Sequence, residues 1–125
     1  MGDHLLPYEL TFEARPGYIY ARVKADVIDR ATALEYLTRV ADRVSDSSFT
    51  RLMLERDIPQ MLPDTDLFFT TQDFLRMIGS TRIAFVNPHS KIHDAMGFAM
   101  MIGTNRGANY QLFNDPSLAE EWLLA

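Results

Sequence analysis

The chain has 125 residues, no cysteine, and a formal net charge of −5 from 17 acids and 12 bases. That length points to one domain over residues 1–125, able to bury an apolar core without disulfide or metal staples. An apolar share of 47% against 23% charged excludes a disordered chain, and the missing cysteine excludes thiolate catalysis, zinc knuckles, iron–sulfur clusters and redox pairs.

From Tyr8 to Ala14 the chain alternates apolar Tyr8, Leu10, Phe12 and Ala14 with polar Glu9, Thr11 and Glu13, which predicts a half-buried strand. Pro16-Gly17 then supplies a fixed φ followed by tolerance of a positive one, so a tight turn is expected. A second strand over Tyr18–Lys24 sets Ile19, Ala21 and Val23 on one side and Tyr18, Tyr20 and Arg22 on the other. Large groups on both sides place it inside the sheet.

The period then becomes helical. Ile28, Ala31, Leu34, Leu37, Ala41 and Val44 form a stripe widened by Ala33 and Val40, with Asp26 or Asp29 as cap. Phe49–Leu54 predicts a short strand, and Asp57–Asp66, with Pro59 and Pro63, a loop. A helix follows from about Asp66 to Ile78, capped by Asp64 or Thr65 and ended by Gly79. Ile83-Ala84-Phe85-Val86 reads as a central strand covered on both faces. Asn87-Pro88 stops it. Ser90 can cap a further helix that turns Ile92, Ala95, Met96, Ala99 and Ile102 inward and closes at Gly103. Asn109–Phe113 is the last strand. Asp115-Pro116 opens a terminal helix packed through Leu118, Ala119, Trp122 and Leu123, with Trp122 as core anchor.

The expected order is ββαβαβαβα: an α/β fold with a mixed five-stranded sheet and four helices. The opening hairpin, the early helix, the short strand through Leu52-Met53-Leu54, the strand Arg82–Val86 and the ending Phe113-Asn114-Asp115 to Ala119 and Trp122-Leu123 together resemble the SpoIIAA-like fold of STAS domains and the broader STAS/SEC14-like small bacterial proteins. The resemblance spans roughly Tyr8 to Leu124. It implies a role in binding partners, and sometimes lipids or nucleotides. It also implies a phosphoacceptor hydroxyl at the start of the helix after the third strand. Thr65 stands there, between Asp64 and Asp66, without the Asp-Ser-Ser-Gly-like stretch that carries the acceptor in anti-anti-sigma proteins.

The twelve bases, ten of them Arg, are scattered and form no stripe, which argues against nucleic acid. No run of about 18 apolar residues exists to cross a membrane, and MGDHLLPYEL has neither the basic nor the apolar region of a signal peptide, so a cytoplasmic protein is expected. No Gly-x-Ser-x-Gly elbow, Gly-x-Gly-x-x-Gly or phosphate loop is present, and no cofactor is called for.

Polar residues just beyond the carboxyl ends of strands are the natural ligand contacts of an α/β sheet. Here they are Arg56, Asp57, Asn87, His89 and His93, with no residue assigned as catalytic. His89 and His93 have the i,i+4 spacing of a metal pair but lack a third ligand nearby, so no metal is expected. Phe69, Phe98 and Met101 are left over once the helical stripes are filled, which suits an interface or an apolar ligand. Two functions therefore stand side by side. One is a non-enzymatic regulatory or binding module for a protein partner, a second copy of itself, or a small apolar ligand. The other is a small enzyme using His and Asp for acid–base chemistry at the strand ends.

Overall fold

A computed structural model describes residues 7–89 and 109–125. It is an α/β structure with five strands and three helices among the described residues: β1 Glu9–Arg15, β2 Tyr18–Lys24, α1 Arg30–Ser45, β3 Arg51–Asp57, α2 Asp64–Ile78, β4 Arg82–Val86, β5 Tyr110–Phe113 and α3 Pro116–Leu124. The helix expected from Ser90 to Ile102 lies outside the described residues.

The strands form one mixed sheet in the order β1-β2-β3-β4-β5. β1 and β2 are antiparallel, with Arg15 opposite Tyr18 across the Pro16-Gly17 turn. Gly17 has φ +90°, so the turn demands glycine; a Cβ there would meet Leu124 Cδ2 at 2.9 Å, the tip of an exposed side chain that can swing aside. The remaining pairs are parallel, including Arg22 with Glu55 and Glu55 with Val86.

The sheet advances in one direction from β2 to β4. With crossovers of one hand, that puts α1 and α2 on the same face. There Ile19, Ala21, Val23, Leu52, Leu54, Ile83 and Phe85 meet Leu37, Val40, Val44, Leu67, Phe74 and Ile78. Phe85 lies edge-on between Phe74 and Tyr110. On the other face α3 covers Tyr18, Met53, Ala84 and Val86 with Ala119 and Leu123.

Several expected boundaries shift for physical reasons. α1 starts from Asp29, whose carboxylate accepts from the Thr32 amide at 2.7 Å. Its buried stripe is Ala33, Tyr36, Leu37, Val40, Ala41 and Val44. Ala31 is exposed and Tyr36 turns inward, so the stripe is rotated from the expected one. α2 starts two residues early, with Pro63 at the N-cap position in place of the expected Asp64 or Thr65. β3 runs on through Glu55 to Asp57 because Arg22 on β2 meets both carboxylates. Trp122 is half-buried, not the expected anchor: Arg82 lies 3.7 Å above its ring and Phe113 packs beside it, while Ala119 and Leu123 enter the core.

Candidate functional site

Successive strand residues point to opposite faces. Arg56 and Asp57, neighbours at the end of β3, therefore part company. Leu52, Leu54 and Arg56 project toward α1 and α2, and Met53, Glu55 and Asp57 toward the face that carries α3. The five expected contact residues are thus divided. Asp57 meets His89 on the α3 face, Asn87 bonds the His89 backbone in the loop after β4, Arg56 lies on the other face, and His93 lies outside the described residues.

The first group belongs to a polar ladder across β2, β3 and the loop after β4. The Tyr20 hydroxyl donates to Glu55 Oε1 at 3.0 Å, and Arg22 Nε donates to Glu55 Oε2 at 3.3 Å. Arg22 Nη2 donates to Asp57 Oδ2 at 2.6 Å, and Asp57 Oδ1 lies 3.0 Å from His89 Nε2. A carboxylate only accepts, so Nε2 carries the proton and Nδ1 is the basic nitrogen. No described residue binds Nδ1, and the His89 side chain is 35% exposed. Asn87 is fully buried, and its Oδ1 accepts from the His89 amide at 3.0 Å in a side-chain turn that fixes the loop. Two carboxylates face one guanidinium. The cluster therefore has one net negative charge with His89 neutral and none with it protonated. Burial and the bond to Glu55 push the Tyr20 phenol up to about 12.

The second site is a cavity of about 50 Å³ between α1, α2 and the end of β3. Leu37, Leu54, Leu67, Phe74 and Phe85 supply apolar wall, and Arg56, Tyr36 and Thr70 also line it. Arg56 is only 5% exposed. Its Nη1 donates to the Ile58 carbonyl at 3.0 Å and its Nη2 to the Gln60 carbonyl, so the guanidinium shapes the β3–α2 loop. Among the described residues no carboxylate pairs with it. Desolvation pulls Arg56 below its ordinary value, opposed by the Tyr36 phenol beside it; burial pushes Tyr36 up. Thr70 is 3% exposed, and its Oγ1 has no hydrogen-bond partner among the described residues.

Of the expected surface residues, Phe69 is 44% exposed on α2, with Met77 on the same helix also exposed. Thr65 is exposed in the first turn of α2. Phe98 and Met101 lie outside the described residues. No group of three or more metal-ligating side chains occurs among the described residues, and none of their helices is long and apolar enough to cross a membrane.

Sequence reasoning missed Arg22, Glu55, Tyr36 and Thr70. Opposite charges at alternate positions of two strands, Arg22 and Lys24 against Glu55 and Asp57, were a signal for the ladder. Thr70 sits within the buried stripe Leu67, Phe74, Ile78, and a polar residue in such a stripe was a signal for the cavity. Comparison with protein-family models and with curated proteins returns no match.

Proposed function

We propose that the chain is a SpoIIAA-like, non-enzymatic binding module of the cytoplasm that takes a small, largely apolar molecule into the cavity between α1 and α2. The observation that carries this reading is the cavity itself. Protein interiors close-pack, and here a partly open space large enough for several waters reaches in among core side chains. This one lies between two helices that pack on one face of the sheet, so a modest shift of α2 against α1 would admit a ligand and report its presence at the surface. Exposed Phe69 and Met77 on α2 supply the face on which a protein partner or a second copy would read that shift.

The test uses xenon, an uncharged probe of cavity size, followed by amide and methyl NMR. Saturable shifts confined to the surroundings of Leu54, Phe74 and Phe85 are expected. Uniform weak shifts over the whole surface would overturn the reading.

The second reading is a small enzyme, and one observation favours it: the 3.0 Å contact of Asp57 with His89. Asp57 fixes the ring so that Nδ1 could take a proton from water or substrate. Among the described residues no hydroxyl bonds to His89, and the dyad would act as a general base. Hydrolysis of simple activated esters above the rate of free imidazole, reduced at least tenfold by Asp57→Asn, would establish this reading over the first.

A further inference from the structure

The cavity holds two polar groups that the fold leaves unfinished. Arg56 keeps its charge at any accessible pH. A buried cation is costly unless an anion or a full set of acceptors meets it. Here it meets two loop carbonyls and a phenol, and no carboxylate among the described residues. Thr70 Oγ1 has no partner among the described residues, and a buried hydroxyl left so carries a desolvation penalty of about 1–3 kcal/mol. Both line the same small cavity, whose other walls are Leu37, Leu54, Leu67 and Phe74.

Water could satisfy the hydroxyl but cannot neutralise the guanidinium. An anion can do both, accepting from Arg56 and from Thr70. Its tail must be apolar, because most of the wall is. A phosphate does not suit: its two charges would need more donors than one guanidinium and the hydroxyls of Tyr36, Thr70 and Thr71, in a space otherwise apolar. Size sets the rest. A cavity of about 50 Å³ takes roughly four water-sized bodies at about 10–15 Å³ each. We propose that the ligand is a short-chain monocarboxylate of about two to four carbons, its carboxylate on Arg56 and Thr70 and its tail against Leu54 and Phe74. This rests on the binding-module reading and adds the chemical class of the ligand.

The experiment is an NMR titration of the full chain with sodium propionate, with propionamide as the neutral isostere and sodium chloride at matched ionic strength. Propionate should bind saturably and at least tenfold tighter than propionamide, with chloride inert. Thr70→Val keeps shape and volume, so it should fold as the parent does. It should weaken propionate about three- to tenfold and leave propionamide and xenon nearly unchanged. Arg56→Met should bring propionate down to the level of propionamide. Should that variant fail to fold, Thr70→Val and the propionate-to-propionamide ratio still decide the matter. Equal binding of propionate and propionamide, or no effect of Thr70→Val, overturns the carboxylate while the cavity reading stands. Xenon binding without propionate binding does the same. Failure of xenon, propionate and propionamide alike overturns the cavity reading itself.

Discussion

The two faces of the sheet handle charge in opposite ways. On the face of α3, five ionisable groups, Tyr20, Glu55, Arg22, Asp57 and His89, stand in a row, each within hydrogen-bond reach of the next and all partly open to water. On the face of α1 and α2, the Arg56 cation is sunk among Leu, Phe and Tyr side chains, with no carboxylate paired to it among the described residues. The ladder is complete within itself, and exposed pairs of this kind cost little to keep and add little. The buried guanidinium is incomplete. A ligand site is better sought where the protein has left an interaction unmade than where polar residues are most numerous.

The sharpest test of this contrast is to weaken each face in turn. Phe74→Ala removes a ring that is buried in the cavity wall and packs edge-on against Phe85. It should lower stability by about 3–5 kcal/mol, read as a fall in the urea midpoint with an unchanged slope. A loss well under this range would mean that α2 is held by something other than its apolar stripe. Asp57→Asn breaks the ladder at its centre, where Arg22 and His89 both meet the carboxylate. Because the pairs are partly exposed, the loss should be no more than about 1 kcal/mol and should shrink in high salt. A loss as large as that of Phe74→Ala would erase the distinction between the faces.

The smallest effect is a slope. The Tyr20 phenol is raised in the folded protein to about 12, from an ordinary value of 10.0. The folded state therefore holds this proton more tightly than the unfolded one. Its contribution is fully present below the unfolded value and is lost as pH climbs from about 10 toward about 12. Tyr20→Phe should flatten the alkaline fall in the urea midpoint relative to the parent over that window. Identical slopes would show that Tyr20 ionises no differently in the two states.

Much of the fold was legible because periodicity is local. The hairpin, the inward side of β2 at Ile19, Ala21 and Val23, and the covered strand Ile83–Val86 all follow from patterns within a few residues. What was not legible required knowing what lies across the strand. Asp57 reads as the start of a loop, with Glu55 just past the expected strand, until Arg22 is seen to bond both carboxylates. Tyr36 reads as the outer side of a helix until the helix is rotated onto the sheet. Arg56 and Asp57 were grouped because both follow a strand core, yet the two-residue period of β3 already assigned them to different faces. The strand-end rule also expects a crevice where strand order reverses, and these five strands contain no reversal. That removes the usual reason for a cleft there and turns attention to the partly open gap between α1 and α2.

The same unreversed order has a consequence for how the chain is assembled. Every strand after the first pairs with the one made just before it, so no strand has to be threaded between two already joined. A chain emerging from its amino end can lay down β1 and β2 as a hairpin, then extend the sheet at a single growing edge. β5 and α3 come last, and Leu124 of α3 returns to rest against Gly17 in the first turn. The last helix of the sheet's far edge thus closes onto its opening hairpin.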